Sequence, residues 1–244
     1  MAVIDNNILN IIASGTTQDN RYFLPQIQLD RKTYVKVNEI LEIIGGKWNR
    51  KFKCHFFDSS PEETIDDLIL TGSIEKPKTY DYFPTPKELA EKIVALANVT
   101  DDDVVLEPSA GQGHLIESVT NKDRIHCVEF LESHVVILRQ KGYSNVTWGD
   151  FLLVTPNPMY DKVIMNPPFG KQADIDHVKH AWDFLNSGGR LVSIVSNSFT
   201  FRTNKKSEDF KLFVQENGYV INNPTGSFKE SGTMVNTVTV VLEK

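Results

Sequence analysis

Cysteine is almost missing from this chain. Cys54 and Cys127 are the two among 244 residues, they lie in different parts of the sequence, and they have no metal-ligand spacing. That argues against a disulfide framework and a thiolate metal site, and it suits reduced thiols in a cytoplasmic protein. Long apolar runs are missing as well: none approaches the roughly 18 residues of a membrane span. Met1–Ile12 has no basic segment followed by an apolar block, so no secretory signal is expected. A basic excess is also lacking, since the net charge is −6. Proteins that coat nucleic acid nonspecifically are basic. Any nucleic-acid contact here must therefore come from a local patch and depend on salt. Internal repeats and low-complexity tracts are absent.

What is present is ordinary for a globular protein, with 40% apolar and 24% charged residues. The length allows one large domain, or one domain with a small appendage. The patterning is weak before residue 80. Ile8, Leu9, Ile11 and Ile12 suit a short helix or a strand. Ser14–Asn20 reads as a turn or loop, and Thr33–Val37 as a strand. Asn38 is then a candidate N-cap of a helix that Gly45-Gly46 ends. Lys51–Phe57 reads as another strand, and Ser60-Pro61-Glu62-Glu63 as a helix start. Leu70–Lys78 reads as a linker, so residues 1–79 are expected to form a small α+β appendage to a domain at 80–244.

The appendage carries the positive charge that the whole chain lacks. Between Arg31 and Lys53 seven cations face two anions, a local +5. Trp48 and Phe52 are interleaved with Lys47, Arg50 and Lys51. Cations for phosphate and aromatics for base stacking suit a nucleic-acid contact. The competing reading is a solvated hairpin whose aromatics serve the core.

Beyond residue 80 the chain alternates. Tyr80–Pro86 is extended by its two X-Pro pairs, and Thr85 is read as the cap of a helix to about Asn98. Strands follow at Val104–Leu106, Arg124–Val128, Val146–Trp148, Lys162–Met165 and Arg190–Ser196. The segments between them read as helices after Gly113, at Leu131–Lys141 and at Ile175–Leu185; a further helix spans about Ser207–Glu216. Tyr219–Asn222 and Thr233–Leu242 then suggest an antiparallel hairpin at a sheet edge. Strand–helix alternation predicts an α/β fold with a doubly wound, mostly parallel seven-stranded sheet.

The chemistry concentrates at Asn166-Pro167-Pro168-Phe169. Two prolines stop the preceding apolar strand. An amide side chain, a free carbonyl and a ring are left at a strand's C-terminal edge, where open α/β sheets bind ligands. Asn166 Oδ1 and the Pro167 carbonyl are both acceptors. Together they suit a planar –NH2 group whose ring stacks on Phe169. The bland reading is a polar turn.

Three acids stand at three successive strand ends: Glu107, Glu129 and Asp150. Glycines Gly111 and Gly113 let backbone approach a ligand. Glu129 could accept from ribose hydroxyls, and Asp150, with Phe151 beside it, from an adenine amine. Glu107 would repel a pyrophosphate and suits an ammonium. His177 and His180 lie three apart without a third ligand, so they read as a solvated helix face and no metal site is expected.

In this order, Phe83-Pro84-Thr85-Pro86, Leu106–Gly113, Glu129, Asp150 and Asn166–Phe169 resemble the class I S-adenosylmethionine-dependent amino-methyltransferases. The similarity is greatest to the gamma-group adenine-N6 DNA methyltransferases, and it covers about Tyr80 to Lys244. The resemblance implies a Rossmann-like methyltransferase fold and S-adenosylmethionine as cofactor. It implies that Phe83, Thr85, Glu107, Ser109, Gly111 and Gly113 surround the methionine end, with Glu129, Asp150 and Phe151 around the nucleoside. Asn166, Pro167 and Pro168 would form the catalytic edge, with Phe169 on the target base. Phe228 resembles a late aromatic that packs on that base, and a core aromatic is the equal alternative.

The expected function is methyl transfer to adenine N6 in DNA, with limited sequence selectivity and no membrane. RNA or protein glutamine methylation on the same sheet is the alternative, as is a non-catalytic subunit. Gamma-group enzymes carry a large target-recognition domain after the sheet, whereas this sequence ends at the last strand. Selectivity is therefore expected to be weak, or to come from the appendage or a partner chain. Arg202, Lys205 and Lys206 either grip phosphate or form an exposed polar loop.

Overall fold

The computed structural model describes residues 4–58, 60–73, 83–229 and 235–244. Three sequence expectations lie outside them: the extended Tyr80–Tyr82, most of the linker with the boundary at 79/80, and the stretch before the last strand.

The N-terminal unit runs α1 (Asn6–Ala13), β1 (Thr16–Gln18), β2 (Arg21–Phe23), α2 (Arg31–Ile43), β3 (Lys47–Asn49), β4 (Cys54–Phe56) and α3 (Glu62–Thr71). Its strands form an antiparallel sheet in the order β1-β2-β4-β3. Four expectations are corrected here. Ser14–Asn20 is not a plain loop but contributes β1 to a hairpin, with Thr16 opposite Phe23. Thr33–Val37 is helix, not strand. Asp30 is the cap in place of Asn38, accepting from the amides of Lys32 and Thr33 at 3.0 and 3.1 Å. Val37 and Leu41, one turn apart, are both fully buried. A cap plus an i, i+4 pair outweighs the β-branched residues between them. Asn38, mid-helix, holds His55 Nε2 at 2.8 Å instead. The strand expected over Lys51–Phe57 is shortened to β4, because Asn49 Oδ1 accepts from the amides of Lys51 and Phe52 and closes a turn.

The second unit runs α4 (Lys87–Ala97), β5 (Val105–Glu107), β6 (Ile125–Glu129), α5 (Glu132–Gln140), β7 (Asn145–Trp148), β8 (Tyr160–Met165), α6 (Ala173–Trp182), β9 (Leu185–Ser196), α7 (Lys205–Asn217), β10 (Gly218–Asn222) and β11 (Thr237–Glu243). The expected seven-stranded sheet forms in the order β10-β11-β9-β8-β5-β6-β7. The five strands from β9 to β7 are parallel, and the β10–β11 hairpin closes the other edge antiparallel. The helix expected after Gly113 is absent. Residues 114–118 form bends and turns, with Leu115 and Ile116 buried all the same.

The pleat sorts the core. Val105, Ile164, Val192 and Ile194 point to the layer shared with α4 and α5. Leu106, Val163, Met165, Leu191 and Val195 point to the layer shared with α6 and α7. Both faces are covered, so these strands read as continuous apolar runs. From β5 the chain winds outward to β6 and β7, then returns to β8 on the other side. The crevice at the carboxyl ends of β5 and β8 is thus the switch point where such sheets take ligands.

Helix α3 joins the units. Its Ile65, Leu68 and Ile69 sit in the N-terminal core, while Leu70 packs on the core of the sheet. Among the described residues no helix is long and apolar enough to cross a membrane.

Candidate active site

A cavity of about 610 Å3 opens at that switch point. It gathers most of the residues singled out from the sequence: Phe83, Thr85, Glu107, Ser109, Gly111, Glu129, Asp150, Phe151 and Asn166–Phe169 all line it.

The end of β8 sets the geometry. Asn166 Nδ2 donates to the Phe83 carbonyl at 3.4 Å and to Thr85 Oγ1 at 3.1 Å. A carbonyl only accepts, so the amide nitrogen must face Phe83 and Oδ1 faces away from it. That Oδ1 is buried and has no hydrogen-bond partner among the described residues. Thr85 is therefore not a helix cap. Pro86 occupies the cap position of α4, and the Thr85 hydroxyl orients Asn166. Phe169 is buried in the cavity wall, with Phe228 edge-on behind it at 6.3 Å. Phe228 is wholly in the core and does not line the cavity.

The acids divide by environment. Glu107 is 1% exposed, and its Oε2 also lacks a partner among the described residues. Burial first, and then the charge of Glu129, hold its carboxyl well above the usual range. Glu129 is engaged: Oε2 accepts from the Gly111 amide at 2.6 Å and Oε1 from the Leu131 amide at 2.7 Å. It thereby ties the glycine turn to the end of β6. Gly111 adopts φ +53° there. Gly113 serves packing rather than the cavity. At φ +79°, a Cβ on it would lie 3.0 Å from Leu138 and 3.1 Å from Tyr143. Asp150 is exposed and accepts from the Leu152 amide at 2.9 Å. The Phe151 ring packs on His180 and Phe184 at 4.8 and 5.1 Å, as part of the wall.

Other residues went unread in the sequence. Phe130, 69% exposed, lines the cavity directly after Glu129. His177 is not on a solvated face. It is buried in the cavity wall, its Nδ1–H donates to the Ala173 carbonyl at 2.8 Å, and burial lowers its pKa. Its spacing from the buried Asp174 and Ala181 on α6 was the available signal. His180 bonds the Val154 carbonyl.

The basic residues lie elsewhere. Lys47, Trp48, Arg50 and Lys51 are on the β3–β4 hairpin, outside the cavity lining. Trp48 and Phe52 are 39% and 49% exposed there. Arg202, Lys205 and Lys206 each pair with an acid: Asp66 at 2.7 Å, Asp209 at 2.9 Å and Asp176 at 2.6 Å.

The fold is that of the class I S-adenosylmethionine-dependent methyltransferases. A type I restriction-modification methyltransferase subunit from Streptococcus thermophilus superposes with a TM-score of 0.59 at 18% identity, covering 75% of this chain and 48% of that one. The M protein of the type I restriction enzyme EcoKI gives 0.56 at 16% identity, covering 97% of this chain and 56% of that one. A dimethyladenosine transferase from Plasmodium falciparum gives 0.53 at 19% identity, covering 67% and 64%. The chain thus spans between about half and two thirds of the length of these structures. Residues 102–223 match the methyltransferase small domain model, and the chain belongs to that family. Its cofactor is S-adenosylmethionine. The cavity fits such a group, because a buried carboxylate oxygen without a partner is where a cationic amino end finds its counter-charge.

Proposed function

We propose that this protein transfers a methyl group to the exocyclic N6 amine of adenine in DNA, in the cytoplasm and with limited sequence selectivity. The observation that carries the reading is Asn166 Oδ1, buried, unpartnered and set beside Pro167 over an aromatic wall. An acceptor without a donor, next to a second acceptor and a ring, matches an aromatic amine.

When bound, the cofactor supplies a methyl on a sulfonium, a leaving group that needs no acid. The chain's part is to hold and to orient. Glu107 would hold the ammonium end, with Phe83, Thr85 and Ser109 nearby in the lining. Glu129 retains lone pairs for ribose hydroxyls beyond the two amides it already binds. Asp150 and the Phe151 segment, which line the cavity, would hold the cofactor's adenine. The difficulty of the reaction is the nucleophile, whose lone pair is delocalised into its ring. Asn166 Oδ1 and the Pro167 carbonyl accept from the amine and stabilise the positive charge that grows on its nitrogen. Phe169 stacks on the target base and fixes the line of approach. A base in a duplex must first be flipped out, at a few kcal/mol unless it is mismatched or single-stranded.

The exposed cations and aromatics of the β3–β4 hairpin support a nucleic-acid contact outside the cavity. Replacing Lys47, Arg50 and Lys51 by alanine is expected to weaken nucleic-acid binding and to flatten its salt dependence by up to ~0.9 per lost phosphate contact. Binding unchanged across several salt concentrations would remove the hairpin from the account. The names of the type I relatives motivate a partner chain for target recognition. Methyl transfer compared side by side on duplex DNA, total RNA and a release factor tests the substrate class. Incorporation into DNA alone is expected; incorporation into RNA or protein alone would overturn the DNA reading.

A further inference from the structure

The mouth of the cavity poses an electrostatic problem for a nucleic acid. The cavity is lined by four acids, Glu63, Glu107, Glu129 and Asp150, and Lys171 is its sole Lys or Arg among the described residues. Among the described lining residues, Lys171 alone offers an approaching phosphate an attractive side-chain charge. In the free protein that ammonium is taken: it pairs with Glu63 Oε1 at 3.5 Å, with the two side chains 73% and 64% exposed. A pair this exposed is weakly held and yields readily to a stronger anion.

The backbone at this point is also built. Lys171 and Gln172 have φ of 55° and 58°, two successive non-glycine residues in the left-handed region. Such strain persists only where the surroundings impose it, and it gathers at functional sites. Here the surroundings are visible. Gln172 is 7% exposed, its Nε2 donates to Ser207 Oγ at 3.2 Å, and its Oε1 accepts from Asn204 Nδ2 at 3.1 Å. The start of α7 therefore pins the segment that follows Phe169-Gly170 and holds Lys171 at the rim.

We propose that Lys171 is a phosphate contact of the target nucleotide, and that Glu63 of α3 occupies it until a nucleic-acid strand arrives. The proposal rests on the nucleic-acid reading of the Asn166 site. Helix α3 thus sets a threshold at the mouth: an uncharged base analogue lacks the phosphate to displace Glu63, and a strand has it.

The test is the salt dependence of binding to an unmethylated oligonucleotide duplex, measured by fluorescence anisotropy on the full chain. Wild type is compared with Lys171→Gln, Lys171→Arg, Glu63→Gln and the control Lys205→Gln, with cofactor affinity measured in parallel. Lys171→Gln is expected to lower the slope of log K against log salt by ~0.9, one phosphate contact. Lys171→Arg is expected to restore it, Glu63→Gln to tighten binding, and Lys205→Gln to change neither, with cofactor affinity unaltered throughout. An unchanged slope for Lys171→Gln, or no tightening by Glu63→Gln, overturns this inference while leaving the catalytic reading in place. Wild-type protein that binds no nucleic acid at any salt overturns the nucleic-acid reading, and this inference with it.

Discussion

Glu107 shows at the scale of one residue how the site anticipates its ligand. Buried at the end of β5 and beside Glu129, its carboxyl is held well above the usual range. A raised acid in the folded state stabilises the fold at low pH, and that contribution is lost as pH climbs through the raised value. Without cofactor, the melting temperature of wild type should therefore fall as pH rises past the ordinary glutamate range, and Glu107→Gln should flatten that fall. An ammonium beside the carboxylate reverses the shift. Cofactor binding should then release a proton and strengthen with pH, a dependence that Glu107→Gln should lose along with affinity. Calorimetry in two buffers of different ionisation heat checks this, and equal heats in both would contradict it. Gly113 is the steric counterpart. At φ +79° with contacts of 3.0–3.1 Å waiting for a Cβ, Gly113→Ala should destabilise by about 1–3 kcal/mol in a denaturant titration.

Among the elements, those buried on both faces were legible in the sequence and those held by side-chain detail were not. Val163-Ile164-Met165 and Val238–Leu242 announce themselves as strands because helices cover both sides of the sheet. The acids at the ends of β5 and β6 and the Asn166 stretch at the end of β8 were legible for the same reason, since each follows a readable strand. Helix α2 was misread because three β-branched residues hid a cap that only the Asp30 hydrogen bonds reveal. His177 was misread because a single buried ring on a polar helix leaves little trace. The appendage's exposed cations could be counted, but their distance from the cavity could not. The cap makes a prediction at this scale: Asp30→Ala should cost about 1 kcal/mol, or ~2–4 °C in melting temperature for a chain of this size. Cofactor affinity should not change, and a loss of affinity would mean that α2 communicates with the site.

Across the whole molecule, α3 is the joint. Apolar residues fix it to both cores, Lys171–Glu63 ties it to the rim, and Arg202–Asp66 ties it beneath at 2.7 Å. Arg202 is 8% exposed and its Nε has no partner among the described residues, so removing Asp66 strands a buried cation. Asp66→Ala should destabilise by ~3 kcal/mol, and the apolar pair Asp66→Leu with Arg202→Met should recover part of that loss. Equal stability of the single and double variants would mean that the ion pair does not fasten the units. The central claim is that Asn166 presents its free acceptor to an adenine amine. The most direct measurement is transfer of labelled methyl from S-adenosylmethionine to unmethylated DNA by wild type and by Asn166→Ala. The products are digested to nucleosides, and cofactor affinity is measured on both proteins. The account predicts N6-methyladenine from wild type, a fall of ~100-fold or more in rate for Asn166→Ala, and cofactor binding retained by both. Wild-type product unchanged in the variant, or label in anything other than N6-methyladenine, would contradict it.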